Sequence, residues 1–267
     1  QLSDLRGRGR RGRPVGRPRH RSRVRRGFGG TRVQGAGLAG HRQGGKRDLG
    51  TSWKTALTPE QRAAILADVL PWVQRFTGKI VVIKHGGSTL SAGPAAVADD
   101  GVLRDIVMLH SLGVRPVVVH GGGKTITAWL ERLGLPARFV QGLRVTDAES
   151  MTVGEMVLAG HINKALVTGL NRMAGDRAIG LSGCDAQLLM ARPLRIAGKD
   201  LGHVGEIVAV NAQLLNRLLD EGFIPVIAPV AADEEGVHYN VNADDAAAAV
   251  AGALKAEKLV FLTDVPG

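Results

Sequence analysis

The 267-residue chain carries 35 Lys+Arg against 24 Asp+Glu, a formal net charge of +11, which invites a nucleic-acid reading until the charge is divided by position. Residues 1–50 hold 14 Arg and one Lys against Asp4 and Asp48, a net of +13, which leaves −2 for residues 51–267. That remainder is near-neutral and apolar-rich, and it has no run of about 18 apolar residues to cross a membrane as a helix. Its sole cysteine, Cys184, excludes an internal disulfide or multi-cysteine zinc site and fits a reducing, cytoplasmic setting.

Taken in chain order, the first fifty residues alternate Arg with Gly and Pro, as in Arg6-Gly7-Arg8-Gly9-Arg10, with Phe28 as their one aromatic. They are expected to be disordered, because they hold too little apolar surface to offset chain entropy. The tract reads first as an inert or non-native extension, second as a nucleic-acid-binding arm, and third as a targeting segment. Thr58-Pro59-Glu60-Gln61 is a helix start, with Thr58 as N-cap, Pro59 in the first turn and Gln61 closing a capping box. The helix that follows carries Ile65, Val69, Trp72 and Phe76 as an apolar stripe, Pro71 as an expected kink, and Gly78 as its end.

Ile80-Val81-Val82-Ile83 is a short apolar run of the kind buried in a parallel sheet, with Lys84 as its last position ahead of His85-Gly86-Gly87-Ser88. A second amphipathic helix after Pro94 places Val102, Ile106 and Leu109 on one face, and Gly113 closes it. Pro116-Val117-Val118-Val119 repeats the strand pattern and stops at His120-Gly121-Gly122-Gly123. This is βαβ grammar, which gives right-handed crossovers and functional loops at the carboxyl ends of the strands. Further strands are expected at Ala178–Leu181, Val204–Val210, Phe223–Val230 and Lys258–Leu262. Helices are expected at Met151–Met173, Ala212–Glu221 and Ala243–Leu254, and residues 263–267 form a loop.

Two neighbouring strands that each deliver a glycine cluster suit phosphate handling. Glycine lets backbone N–H groups converge on an anion, and each loop opens a helix whose N-terminus favours negative charge. Lys84 stands where an ammonium could neutralise a phosphoryl group in transfer. Gly121-Gly122-Gly123-Lys124-Thr125 is not a Walker P-loop, since that motif needs glycine where Val118 stands. Arg144, in an expected loop before a helix capped by Asp147, could hold a carboxylate bidentately or form a surface ion pair. Asn240, Asn242 and Asp244 could orient polar groups or a lysine, or serve only as a helix cap. Nothing adjacent activates Cys184, and the histidines show no metal-ligand spacing.

The segments Ile83–Gly87, Val119–Gly123, Gly142–Glu149, Gly180–Gly183, Leu201–Glu206, Ile224–Pro229, Asn240–Asp244 and Leu262–Gly267, in this order and spacing, resemble the amino acid kinase family. Gly142-Leu143-Arg144-Val145-Thr146-Asp147 favours its acetylglutamate kinase branch. The resemblance implies an α/β fold, a three-layer αβα sandwich with a mainly parallel central sheet. It also implies transfer of the γ-phosphoryl group of ATP, bound with Mg2+, to the side-chain carboxylate of N-acetyl-L-glutamate in arginine biosynthesis. By position, Lys84, Gly87 and Asp244 would be catalytic, and Gly122, Gly123, Arg144 and Asn240 would bind the acceptor. The implied organisation is an extension over 1–50, an N-terminal helix over 51–78, an acceptor-binding half over 79–230 and the start of an ATP-binding half over 231–267. Most of the ATP site would lie beyond Gly267, so this piece alone is expected not to turn over.

The helix at 58–76 is similar to one that interlaces dimers into arginine-inhibited hexamers, which implies a homo-oligomer with L-arginine as feedback inhibitor. Its plainer reading is a helix packed on its own subunit. Ser88, Cys184 and Lys124-Thr125 stand where relatives commonly carry Asn, Lys and Pro-Gln. Two alternatives remain: a related kinase acting on a carrier-bound aminoadipate, and an Arg-rich nucleic-acid-binding protein with an inert kinase-like domain. The related acetylglutamate synthases carry a similar domain without kinase activity, but Lys84 is retained here.

Overall fold

The computed structural model describes residues 57–86, 101–196 and 199–262. The expectations for the arginine-rich first fifty residues, for Gly87 and Ser88, and for the loop at 263–267 lie outside the described residues.

The described chain runs α1 (Pro59–Phe76), β1 (Ile80–His85), α2 (Gly101–Ser111), β2 (Arg115–His120), α3 (Gly123–Arg132), β3 (Arg138–Val140), β4 (Leu143–Val145) and α4 (Ala148–Glu155). A π-helical stretch (Met156–Ile162) leads without a break into α5 (Asn163–Ala174), followed by β5 (Ala178–Ser182), β6 (Leu189–Ile196), β7 (Lys199–Val210) and α6 (Ala212–Asp220). Then come β8 (Ile224–Ala228), β9 (Val230–Ala232), β10 (His238–Val241), α7 (Ala243–Ala253) and β11 (Lys258–Leu262).

Five strands form the main sheet in the order β11-β1-β2-β8-β5, and every pairing in it is parallel. Successive residues of a strand face opposite sides, so the near-continuous apolar runs of β1, β2 and β8 fill two cores. Val81, Ile83, Val118 and Val226 point to one side, where Leu103 and Ile106 of α2, Leu130 of α3 and Leu166 and Leu170 of α5 cover them. Val82, Val117, Val119 and Ile227 point to the other, against Leu215 and Leu219 of α6 and Ala246, Ala247 and Val250 of α7. The result is the α/β layered arrangement with a mainly parallel central sheet that the sequence implied. The strands β10-β7-β6-β9 close on themselves as a small barrel beside the second core.

Several expectations are corrected. Lys84 is the penultimate residue of its strand rather than the last, because pairing continues through His85↔His120. Arg144 lies in a strand, not a loop: β3 and β4 form an antiparallel hairpin whose turn places Gln141 and Gly142 at φ of 49° and 82°, a sharp reversal suited to glycine. Phe223–Val230 is two strands, divided at Pro229, which has no N–H to extend a ladder. The strand expected at Val204–Val210 begins at Lys199, and β6 and β10 were not anticipated. β6 carries Arg192, Pro193 and Arg195 and pairs with β7 through irregular register, so it shows no clean apolar alternation.

The α1 start matches its expected chemistry. Thr58 Oγ1 accepts from the Gln61 N–H at 3.2 Å, and Gln61 Oε1 accepts from the Thr58 N–H at 2.9 Å. The helix continues past Pro71 to Phe76, yet none of its residues is buried. Leu66 and Trp72 are 69% and 59% exposed. An apolar groove of about 390 Å3 runs between this helix and the sheet, lined by Val69, Trp72, Phe76, Leu109, Leu112 and Val260.

Candidate active site

The carboxyl ends of β1 and β2 lie side by side, and the Gly121 N–H donates to the His85 carbonyl at 3.0 Å. Next to the second loop lies a cavity of about 250 Å3 whose lining includes Gly122, Gly123, Phe139, Arg144, Leu158 and Asn240. The four residues expected to bind the acceptor therefore share one cavity, although they come from α3 and its leading loop, β4 and β10.

Arg144 is held in place rather than free to swing. Its side chain is buried, its Nη2 donates to the Gly123 carbonyl at 3.0 Å and to Thr127 Oγ1 at 2.8 Å, and its guanidinium carbon sits 4.7 Å from the Phe139 ring centroid. Burial lowers its pKa, but a guanidinium stays cationic across the neutral range. Nη1 is buried with no hydrogen-bond partner. A buried cationic N–H needs an acceptor, and a carboxylate in the cavity would supply one, so the donor set fits an anionic ligand.

Lys84 and Asp244 do not line that cavity; they meet each other, with Nζ 3.0 Å from Oδ1. Asp244 lies in the first turn of α7, where Asn242 is the N-cap and its Oδ1 accepts from the N–H groups of Asp244 and Asp245. The cap fixes the helix start, and the helix start aims the carboxylate at the lysine. Asn242 and Ala243, just ahead of Asp244, line that same cavity, so the ion pair adjoins it. Close backbone approach explains Gly86, where a Cβ would stand 2.9 Å from the Leu262 carbonyl oxygen. Gly87, expected to be catalytic, lies outside the described residues.

Sequence reasoning missed Thr127, Phe139 and Leu158. Thr127 was accessible, since it falls four residues after Gly123 and therefore on the same helix face. Leu158 gives no such signal, because its orientation depends on the π-helical register. Cys184 is half-buried, and burial together with Glu155 and Asp185 pushes its pKa up to about 11, which leaves it a protonated thiol and a poor nucleophile. Among the described residues there is no group of three or more His, Cys, Asp or Glu that could hold a metal ion, and no helix is long and apolar enough to cross a membrane.

Gly122 and Gly123 should respond differently to the same substitution. A Cβ at Gly122 would fall 2.6 Å from Ile162 Cδ1 and 2.7 Å from Leu158 Cδ2, whereas one at Gly123 would meet nothing within 4 Å. Gly122→Ala should lower stability by about 1–3 kcal/mol through overpacking, a fall in Tm of roughly 5 °C. Gly123→Ala should melt as the parent does and lose ligand affinity, since its methyl enters space that a ligand would occupy. Thermal melts paired with calorimetric titration check both.

The amino acid kinase family matches residues 79–267. Acetylglutamate kinase from Gloeobacter violaceus is 49% identical over 223 residues, covering 83% of this chain and 72% of the relative. The enzyme of that name from Desulfitobacterium hafniense is 48% identical over 215 residues, covering 77% of this chain and 71% of its own. Among solved structures, N-acetylglutamate synthase from Neisseria gonorrhoeae, complexed with coenzyme A and N-acetyl-glutamate, superposes with a TM-score of 0.67 at 28% identity. That match covers 77% of this chain and 46% of the synthase, so the chain spans about half the synthase's length. With a parallel sheet, paired glycine loops and a family match across most of its length, the chain belongs to the amino acid kinase family.

Proposed function

We propose that this chain is an ATP-dependent phosphotransferase with a carboxyl group as acceptor, an acetylglutamate kinase acting in the cytoplasm in arginine biosynthesis. The observation that carries this is the convergence of Gly122, Gly123, Arg144 and Asn240 on one cavity beside the Lys84–Asp244 pair, in a chain about half identical to acetylglutamate kinases.

In this reading Arg144 offers its remaining donors to the α-carboxylate of N-acetyl-L-glutamate, and Asn240 supplies a side-chain amide to the same molecule. The backbone N–H groups of Gly122 and Gly123 hold the side-chain carboxylate at the mouth of the glycine loops. Phe139, Leu158 and Val204 give the cavity an apolar wall that limits water, which matters because an acyl phosphate hydrolyses readily. In the transfer, a carboxylate oxygen bonds to the γ-phosphorus while the bond to the β–γ bridging oxygen breaks, and ADP leaves with the electron pair. Two anions must approach, so positioning and charge neutralisation dominate over covalent chemistry. Lys84 supplies the positive charge, Asp244 fixes where that charge sits, and Gly87 donates its N–H to the phosphoryl oxygens. Mg2+ would enter on the nucleotide's own phosphates, as is usual for this ion.

Calorimetric titration of the 267-residue chain with N-acetyl-L-glutamate tests the acceptor site. Saturable one-site binding is expected, with unacetylated glutamate and an aminoadipate derivative at least about tenfold weaker, a difference of about 1.4 kcal/mol. Absence of N-acetyl-L-glutamate binding, or preference for aminoadipate, would overturn the assignment.

For assembly we infer a homo-oligomer, a dimer raised to a hexamer through α1, with L-arginine as its feedback ligand. The support is the exposed apolar face of α1 and the N. gonorrhoeae synthase solved with coenzyme A and L-arginine. Sedimentation should show a hexamer that falls to a dimer when residues 1–77 are removed, with L-arginine shifting only the longer form. An unchanged mass and no arginine response would rule this out.

A further inference from the structure

Both strands that end at the site carry the same tripeptide, His85-Gly86-Gly87 and His120-Gly121-Gly122, and the two histidines stand opposite each other in the β1–β2 register. Both are buried. In each, ring Nδ1 lies 3.1 Å from the carbonyl oxygen of the glycine that follows. For His120 the neighbours fix the direction of that bond. Asn163, fully buried at the start of α5, places Nδ2 at 2.9 Å from the Val226 carbonyl and 3.4 Å from that of Leu181. Its Oδ1 receives Lys164 Nζ at 3.1 Å. Carbonyls only accept and an ammonium only donates, so the amide cannot be the other way round.

The same Nδ2 lies 3.3 Å from His120 Nε2. Nε2 is therefore an acceptor, the ring proton is on Nδ1, and Nδ1–H donates to the Gly121 carbonyl. In a trans peptide the C=O and the following N–H point in opposite directions. Drawing the Gly121 carbonyl back onto the imidazole thus turns the Gly122 N–H away from the ring and toward the cavity that Gly122 lines.

We propose that His120, held in its Nδ1–H tautomer by Asn163, is a positioning residue that orients the glycine loop's backbone donors toward the acceptor carboxylate. The inference rests on the acceptor site proposed above. It accounts for a buried imidazole and a buried amide that otherwise have no part in the reaction. Burial pushes the His120 pKa down to about 4, so the ring carries one proton at neutral pH and the site of that proton matters. The titratable or charged groups that act on it, His85 on β1 and Lys164 on α5, both disfavour a second proton.

The first measurement needs no ligand. In 15N-labelled protein at neutral pH, the His120 ring, assigned by its loss in His120→Gln, should show a protonated Nδ1 and a bare Nε2; a protonated Nε2 overturns the proposal. The second uses Asn163→Asp. A carboxylate facing Nε2 favours a proton there, so the ring is a cation at low pH and still donates from Nδ1. As pH rises and the cation loses a proton, the Nε2–H form puts a lone pair against the Gly121 carbonyl.

The Kd for N-acetyl-L-glutamate in Asn163→Asp should then rise about tenfold between about pH 6 and pH 9. Asn163→Leu, which loses the same contacts without adding a titrating group, should be weaker but as flat with pH as the parent. A pH-independent Kd in Asn163→Asp would also overturn the proposal. Should the unsubstituted chain bind no N-acetyl-L-glutamate, the acceptor assignment alone fails, and the ring tautomer still decides whether the loop is held this way.

Discussion

Lys84→Met should reduce N-acetyl-L-glutamate-dependent ADP release by about 10² to 10³-fold or more, the loss typical of removing one preorganised donor from a developing negative charge, while acceptor affinity stays within about threefold. The asymmetry follows from position. Lys84 is packed against Asp244 and outside the acceptor cavity, so its charge counts only when phosphoryl oxygens arrive. Methionine keeps most of the side chain's length and volume, which separates the missing charge from a packing defect. Asp244→Asn should retain more activity than Lys84→Met, because an amide still accepts from the ammonium but binds it less firmly. Initial rates of ADP release, set beside calorimetric Kd values, make the comparison. Equal losses in rate and affinity would place Lys84 in acceptor binding instead.

Arg144→Ala should weaken N-acetyl-L-glutamate binding by about 100-fold. A hydrogen bond to a charged group contributes roughly 1.5–3 kcal/mol, and two donors to one carboxylate therefore account for about two decades in Kd. The substitution also releases the Gly123 carbonyl and Thr127, so part of the loss comes from a slackened loop. Arg144→Lys distinguishes the contributions. It restores the charge but not the planar fork that reaches Gly123, Thr127 and the ligand together, and it should recover no more than about tenfold. Titration of the three proteins at one ionic strength checks the order.

Much of this fold was legible because its strands are buried on both faces. Ile80–Ile83 and Val117–Val119 read as unbroken apolar runs, and the glycine clusters that end them marked the functional edge. The α1 and α4 caps were equally plain, since Thr58 and Asp147 act on backbone only three residues away. What stayed hidden depends on contacts far apart in sequence. The β3–β4 hairpin has three-residue strands, too short for alternation to register, so Arg144 read as a loop residue. Strand β10 has the same difficulty, and Asn240 accordingly read as part of a helix cap. The π-helical stretch has no compositional signature, yet it brings Leu158 and Ile162 onto Gly122. The family resemblance already grouped Gly122, Gly123, Arg144 and Asn240 around one ligand, but the walls that Phe139 and Leu158 add to their cavity could not be read in advance.

The order of strands has a consequence for how the protein is made. Strand β1 lies between β2 and β11, and Val81 pairs with Lys258, 177 residues further along the sequence. On the ribosome, Ile80-Val81-Val82-Ile83 emerges well before one of its partners, Lys258–Leu262, is synthesised. For that interval the nascent chain presents an apolar β segment with one row of backbone groups open, the kind of edge that seeds association between chains. Contacts so distant in sequence also close slowly. The strand that carries Lys84 is therefore completed only by a segment translated 177 residues after Val81, so any holdase that shields the young chain should favour residues 80–85 and release them once β11 docks.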